Sequence, residues 1–439
     1  MTQEAILEAY RSPHHTSDRS DNFDVVVCGA GPAGLAAAVC LGKSGLKVAI
    51  CGERPIDTPE NPDLRTAALF TPSISFLQSI GAWRQLSETS QILHGIRIID
   101  DTGAILRAPE TTFKDVDAGL KSLGYNCPNP DVVAVLCSLI DNLDTVTNYI
   151  GTRIKDVVHA SPTLDTSASA SDATTVLLSG SDRAEQTFLL TASLIIAADG
   201  RRSLTREAAN ISVRTWDYNQ SALTVRFFHT QPHDGISTEF HRPGGPCTVV
   251  PLPNNESALV WVDRPGAINR LTQLSDQKFK QALEDQLQGL LGTVTKLSRR
   301  RTFPLSGLIA KKFGAQRTAL VGDAAHGVPP IGAQGLNMGF RDVAILSEQT
   351  IAAHHANRDI GSIALLTQYS ERRKLDVTAR VYGVDALSAS LTSPLYPMAL
   401  ARGAILHAAN QLPFLKRQLI EQGLTMPPGL PASMRPHYI

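Results

Sequence analysis

The run Phe23-Asp24-Val25-Val26-Val27-Cys28 followed by Gly29-Ala30-Gly31-Pro32-Ala33-Gly34 constrains this chain more than any other stretch. So short an apolar segment reads as a strand buried on both faces. The glycines fit the G-x-G-x-x-G pattern where it has meaning, between a strand and a helix. Leu35 to Ser44 is Ala/Leu-rich and helical, Gly45 ends it, and Lys47 to Cys51 is the next strand. Gly29 permits the turn, Gly31 lets the backbone approach a pyrophosphate, and Gly34 lets helix and strand pack closely. Ala33 lies in the helix start, whose free N–H groups face the phosphates. The plainer reading is a tight turn with no ligand. In such units the second strand usually ends in an acid that takes the adenosine ribose. Here that place falls on Gly52, with Glu53 one step later. Successive strand side chains point to opposite faces, so Glu53 reaches a ribose only if the strand end is twisted or shifted. Otherwise it is a solvated surface glutamate.

A chain of 439 residues has room for two or three packed units. Lys+Arg and Asp+Glu both number 41, so no basic excess argues for nucleic acid. Cys28, Cys40, Cys51, Cys127, Cys137 and Cys247 show no paired metal-ligand spacing, and the first three read as small core hydrophobes. Met1 to Asn22 is polar, read as an N-terminal arm without a signal peptide, and no long apolar run suggests a membrane span. A cytoplasmic protein is the expectation. Gly95 to Pro109 alternates around Asp100-Asp101-Thr102-Gly103, a hairpin signal. Pro130 to Leu143 reads as a helix, and His159 to Gln186 as two strands joined by a Ser/Thr-rich surface loop. Residues 213–262 are β-rich, one helix follows at Asp276 to Leu291, another at Asp342 to His355, and the last part is mainly helical.

Two further constellations follow apolar strands. Asp199-Gly200-Arg201-Arg202-Ser203-Leu204-Thr205-Arg206 succeeds Leu189 to Ala198, and Asp199 there could do no more than cap a helix. Gly322-Asp323-Ala324-Ala325-His326-Gly327-Val328-Pro329-Pro330-Ile331-Gly332-Ala333-Gln334-Gly335-Leu336-Asn337-Met338-Gly339 succeeds Thr318 to Val321. An acid at a strand end accepts hydrogen bonds from sugar-alcohol hydroxyls. Gly332 and Gly335 would let backbone pass close to a flat ring, and helix-start N–H groups near Gly335, Leu336 and Asn337 could stabilise negative charge at its edge.

These three motifs, in this order, resemble the class A flavoprotein monooxygenases of the para-hydroxybenzoate hydroxylase type. Within that group the chain is most similar to the ubiquinone-biosynthesis hydroxylases, through Leu64-Arg65-Thr66-Ala67-Ala68-Leu69, Gly124-Tyr125-Asn126, Ser257-Ala258-Leu259-Val260-Trp261 and Pro329 through Asp342. Tyr369-Ser370-Glu371-Arg372-Arg373 and Leu412-Pro413-Phe414-Leu415-Lys416-Arg417 match as well, so the likeness runs from about Asp24 to Leu424. It implies an α/β fold: a Rossmann-like FAD-binding domain (23–93, 125–212 and 301–350), an inserted β-rich substrate domain (94–124 and 213–300) and a C-terminal helical region (351–439). Gly29, Gly31, Ala33 and Gly34 would hold the FAD pyrophosphate. Glu53 and Arg65 would lie near the cofactor, and Asp199 and Gly200 near FAD and the path of NAD(P)H. Gly322 and Asp323 would meet the ribityl chain, and Pro329, Pro330 and Gly332 would line the flavin. Gly335, Leu336 and Asn337 would meet its pyrimidine edge.

The implied reaction is hydroxylation of the ring of a polyprenylated phenol in ubiquinone biosynthesis, with O2 activated on the reduced flavin and NAD(P)H or another donor as reductant. The cofactor carries the chemistry, so His326 reads as structural before it reads as a base. Pro330, Gly335, Leu336 and Asn337 are the residues expected at the reacting ring. Arg226, Phe228, Phe240 and His241 are candidates for the pocket wall. Leu412 to Leu419 is the expected place of peripheral membrane contact, where a prenyl chain resides; membership of a biosynthetic complex is a further possible partnership. Two other functions stay open: a different flavin reaction, and an FAD-bound scaffold without turnover.

Overall fold

The computed structural model describes residues 20–55, 57–58, 62–103, 107–159, 174–180, 187–330, 332–392, 403–404, 407–408, 410–421 and 429–435. Most of the N-terminal arm, the Ser/Thr-rich stretch 160–173, and residues 181–186 and 393–402 lie outside them.

Alternate residues of one strand enter two different cores. Ser20–Cys28 is the centre of a sheet in which it runs parallel to Val48–Gly52 on one side and Thr187–Ala197 on the other. Val146–Ile150 and Thr318–Leu320 extend the parallel set outward. Val25, Val27, Val48, Ile50, Leu194 and Ile196 point to the face covered by helix Pro32–Lys43 and its Leu35, Ala36 and Val39. Val26, Cys28, Ala49, Cys51 and Ile195 point the other way, onto Val157, Val176 and Leu178 of the antiparallel strands Thr152–Val158 and Thr174–Gly180. A strand buried on both faces has to be apolar throughout, which is why the opening run could be read so directly. Its first residues, Ser20 to Asn22, pair with Leu189 to Thr191 and so continue the sheet into the stretch expected to be an arm.

A second sheet of nine strands is mostly antiparallel. Val213–His229 lies between Glu256–Asp263 and Arg301–Ala310, and beyond Glu256–Asp263 come Cys247–Leu252, Ile236–His241, Gly95–Asp100 and Thr111–Lys114. Two helices, Pro265–Gln273 and Asp276–Gln286, stand where sequence suggested one, and their Ile268, Phe279 and Leu283 bury Leu223, Val225, Phe227, Leu259 and Trp261. Arg301–Ala310 belongs to this sheet by pairing, although 301–350 was read with the nucleotide unit. The hairpin signal at Asp100-Asp101-Thr102-Gly103 is not a tight turn. Asp100 accepts from Thr102 N (3.1 Å) and Ala108 N (2.8 Å) and shapes a longer excursion, and the return strand begins only at Thr111. A third sheet, Thr66–Phe70, Gly124–Pro128 and Gln91–Leu93, bridges the two larger ones.

Helix Gln334–His355 starts before the expected Asp342 and packs on Pro32–Lys43. Helix Ile363–Thr392 crosses it and places Arg373, wholly buried, 2.6 Å from the equally buried Asp342. Burial alone would raise the Asp342 carboxyl, but the charges of His326 and Arg373 overcome it and hold the group below its ordinary value. Among the described residues no helix is long and apolar enough to cross a membrane. Removing one partner of a buried pair strands the other charge, at a cost of about 3–5 kcal/mol. Arg373→Met is therefore expected to lower the urea midpoint by that equivalent at unchanged slope; an unchanged midpoint would show the pair to be dispensable.

Candidate functional site

The three motifs meet at the carboxyl ends of the parallel strands. Ala198 N donates to Cys28 O (2.7 Å) and Val321 N to Ala197 O (3.0 Å), so each motif leaves its strand at the same level. The meeting is close enough to require glycine. A Cβ on Gly34 would lie 2.0 Å from Gly29 O, and one on Gly29 (φ +127°) 2.2 Å from Ala198 O. Gly339, one turn into its helix, sits with its would-be Cβ 3.4 Å from Gly322 Cα and 3.6 Å from the Ala33 side chain. Ala33 thus serves as packing between the first and third motifs. Gly31, Gly200 and Gly335 instead border open space: a Cβ on any of them would meet nothing within 4 Å. Helix Pro32–Lys43 begins at Gly31, and helix Gln334–His355 at Ala333, with no side-chain cap on either. Open backbone flanked by uncapped helix starts is a cradle for an anionic, partly flat ligand, and these residues fit FAD.

Buried Arg206 binds the second motif to the third, donating to Ala324 O (3.0 Å) and Arg201 O (3.1 Å). The Arg201 guanidinium lies against Gly327, 2.6 Å from where a Cβ would be. Asp199 accepts from the backbone and hydroxyl of Thr205 (3.0 Å each) and from the Ser203 hydroxyl, so its carboxylate holds the Leu204–Ala208 helix start. Asp323 and Pro330 are exposed, while Pro329 is buried. Arg65 is exposed and forms a bidentate pair with Asp63 (2.8 and 2.7 Å). That hydrogen bond raises its pKa, and the nearby Asp323 charge adds to the effect, which brings the 63–65 segment next to the third motif.

The expectation at Asn337 is a helix-start N–H at the ring edge, and its side chain is fully engaged elsewhere. Its Oδ1 accepts from Phe70 N (3.1 Å) and Ser73 Oγ (2.7 Å), and its Nδ2 donates to Ala68 O (2.8 Å) and Ala333 O (2.7 Å). It joins the helix start to the bridging sheet, leaving only backbone for a ligand. Sequence spacing could not disclose partners about 265 residues away. His326 gives Nε2 to Asp342 (2.6 Å) deep in the core, as a structural histidine does.

Glu53 pairs with Arg153 (2.9 Å), both two-thirds exposed. The objection from strand alternation ends at Gly52, whose φ of +138° breaks the pleat before Glu53, and whose would-be Cβ stands 3.1 Å from Gly29 Cα. An acid at Gly52 would be strained by that φ and tight against Gly29; the next residue carries one.

Of the expected pocket residues, Phe240 is buried beneath the helices of the second sheet and Arg226 is committed to Glu256 (2.9 and 2.8 Å). His241 bonds Glu239 (2.8 Å), and Phe228 lies under Lys296. The sheet face opposite those helices carries Thr224, Val260 and Thr248 in one cross-strand row, and Arg226, Ala258 and Val250 in the next. Asn126 Nδ2 ties the bridging sheet to that region through Pro251 O (3.0 Å). A surface cleft of about 660 Å3 beside Gly244, Asp263 and Arg270 contains none of the candidate residues. A small cavity of about 30 Å3 does, at Gln334 and Asn337.

Fold and site together define a dinucleotide-binding flavoprotein class. The FAD binding domain family matches residues 22–382. The chain is 31% identical to ubiquinone hydroxylase UbiL of Rhodospirillum rubrum, over 94% of this chain and 92% of that protein. It is 30% identical to ubiquinone hydroxylase UbiM of Neisseria meningitidis, over 91% and 84%. In fold it is similar to p-nitrophenol 4-monooxygenase PnpA of Pseudomonas putida, with a TM-score of 0.73 at 19% identity over 91% and 97%. This chain belongs to the FAD binding domain family of flavin monooxygenases.

The glycine geometry separates two roles. Gly34→Ala forces backbone apart and is expected to cost about 1–3 kcal/mol, whereas Gly31→Ala faces open space and is expected to leave the melting temperature nearly unchanged while weakening FAD binding. Thermal melts and fluorescence titration of FAD check both; equal destabilisation by the two substitutions would contradict the assignment.

Proposed function

We propose that this protein is an FAD-dependent monooxygenase that hydroxylates the aromatic ring of a polyprenylated phenol in ubiquinone biosynthesis, using O2 and NAD(P)H or another donor. The observation that carries the reading is the convergence of three distant motifs on one cradle, in a chain whose relatives are ubiquinone hydroxylases along most of their length. Bound FAD supplies the redox and oxygen chemistry. Gly29, Gly31 and Gly34 hold its pyrophosphate with the first turn of Pro32–Lys43, Ala33 packing behind them. Glu53, freed by Gly52, takes the adenosine ribose in exchange for Arg153, and Arg65 flanks the phosphates. Asp199 shapes the second motif and Gly200 leaves room beside it. Gly322 turns the chain so that exposed Asp323 binds the ribityl hydroxyls. Pro329, Pro330 and Gly332 line the ring, and backbone N–H groups at Gly335, Leu336 and Asn337 meet its pyrimidine edge.

The helix-free face of the second sheet, with Thr224, Thr248, Val250 and Val260, forms the wall against the substrate. Arg226 is neutralised by Glu256 and so offers no charge to a substrate carboxylate, which suits a neutral phenol. Val116, Leu412, Phe414 and Leu419 are exposed on two contacting elements near residues 115–118 and 413–420, an apolar patch suited to the membrane surface where a prenyl chain lies.

Purified FAD-loaded protein is expected to consume O2 with a nicotinamide donor when given a prenylated phenol, yielding product heavier by one oxygen by mass spectrometry. Flavin reduction without a hydroxylated product would favour another flavin reaction, and intact complex assembly by an Asp323→Ala protein without turnover would favour a scaffold. Phe414→Asp is expected to reduce sedimentation with lipid vesicles several-fold while leaving turnover of a short-chain phenol unchanged; undiminished sedimentation would remove the patch from membrane contact.

A further inference from the structure

The start of helix Gln334–His355 is held from behind. Ala333, its first flanking residue, is left-handed (φ 52°) and caps nothing with its side chain. Gln334 donates through Nε2 to Gly332 O (3.0 Å) and accepts through Oε1 from Arg380 Nη1 (2.9 Å). Arg380 pairs with Asp376 (3.1 Å), which also binds Arg341 (3.0 Å) and Arg373 (2.6 Å), and Arg373 ends on buried Asp342 (2.6 Å). Asp376 is thus shared by three guanidinium groups, those of Arg341, Arg373 and Arg380. Arg380 is the member joined to the first residue of the helix and, through Gln334, to the glycine loop before it.

Charge is added at that end of the site during the reaction. When oxidised flavin accepts a hydride, two electrons and one proton enter the ring system, and without a further proton the reduced ring keeps a negative charge. A helix N-terminus and a cation fixed behind it favour that charge. We propose that Arg380 is a positioning residue that raises the reduction potential of the bound flavin, by orienting Gln334 and Gly332 and by placing its own positive charge behind the helix start. The inference rests on the FAD reading above. Arg380 neither gives nor takes a proton in the step.

The test is the two-electron midpoint potential of the purified FAD-loaded protein, read from flavin absorbance against a reference dye, beside FAD affinity and melting temperature. Arg380→Met is expected to lower the reduced-to-oxidised ratio at fixed poise about tenfold, or about 30 mV for a two-electron couple. Arg380→Lys keeps the charge but loses the planar fork and is expected to recover most of that loss. Asp376→Asn removes a negative charge and should move the potential upward; this variant decides the matter if Arg380→Met fails to retain FAD. An unmoved potential in Arg380→Met, with only stability or FAD affinity altered, overturns the inference, as does a downward shift in Asp376→Asn. Protein that takes up no FAD overturns the functional reading and this inference with it; FAD-loaded protein whose potential ignores Arg380 overturns the inference alone.

Discussion

How closely two backbones can approach governs the nucleotide end of this molecule. Gly34 lies on the Gly29 carbonyl and Gly29 on the Ala198 carbonyl, at separations no side chain tolerates. Gly339 packs against Gly322 at ordinary contact distance. These contacts draw the first helix, the second motif and the third into one rim, and the rest of the structure is arranged to keep them there. The parallel strands deliver all three motifs at one level, Arg206 binds the second to the third, and Asn337 fastens the late helix to the bridging sheet. A cradle built this way needs little from side chains. At Gly31, Gly200 and Gly335 it presents bare backbone to open space, which suits a cofactor that brings its own chemistry.

Sequence disclosed those parts of the site whose signal is local. The buried strand, the glycine spacing and the strand-end acids at Asp199 and Asp323 each lie within a few residues of the structure they produce. What it hid depends on distance along the chain. Nothing local to Asn337 foretells that its side chain is taken up by Phe70, Ser73, Ala68 and Ala333. Arg226, a candidate for the pocket wall, gives no sign in sequence that Glu256 stands beside it on the neighbouring strand. Asp342 gives no sign in sequence that Gly322 N, His326 and Arg373 all converge on it.

Glu53 shows why pattern rules need their physical basis carried with them. Alternation along a strand holds while the pleat holds, and Gly52 ends it. The positive φ of Gly52 strains any side chain at that point, and a Cβ there would also press on the first glycine of the phosphate turn. The two constraints act together: the glycine that disfavours the acid also reorients the residue after it. The carboxylate one residue further on stands at the rim, paired with Arg153.

The buried charges beneath the third motif call for a different kind of explanation. Ion pairs taken wholly out of water are poor sources of net stability, since desolvation offsets most of their attraction. An apolar core would hold helix Ile363–Thr392 against Gln334–His355 at least as well. Direction is what the ionic version adds. Asp342 accepts from Gly322 N at 2.9 Å, and Arg380 reaches Gln334, so the network grips the third motif at the turn before Asp323 and again at the helix start. Hydrogen bonds at both ends fix the loop between them in a way that greasy contact could not. The helix that supplies Arg373, Asp376 and Arg380 therefore acts as the outer frame of the third motif, though none of its residues stands in the three glycine-bearing motifs.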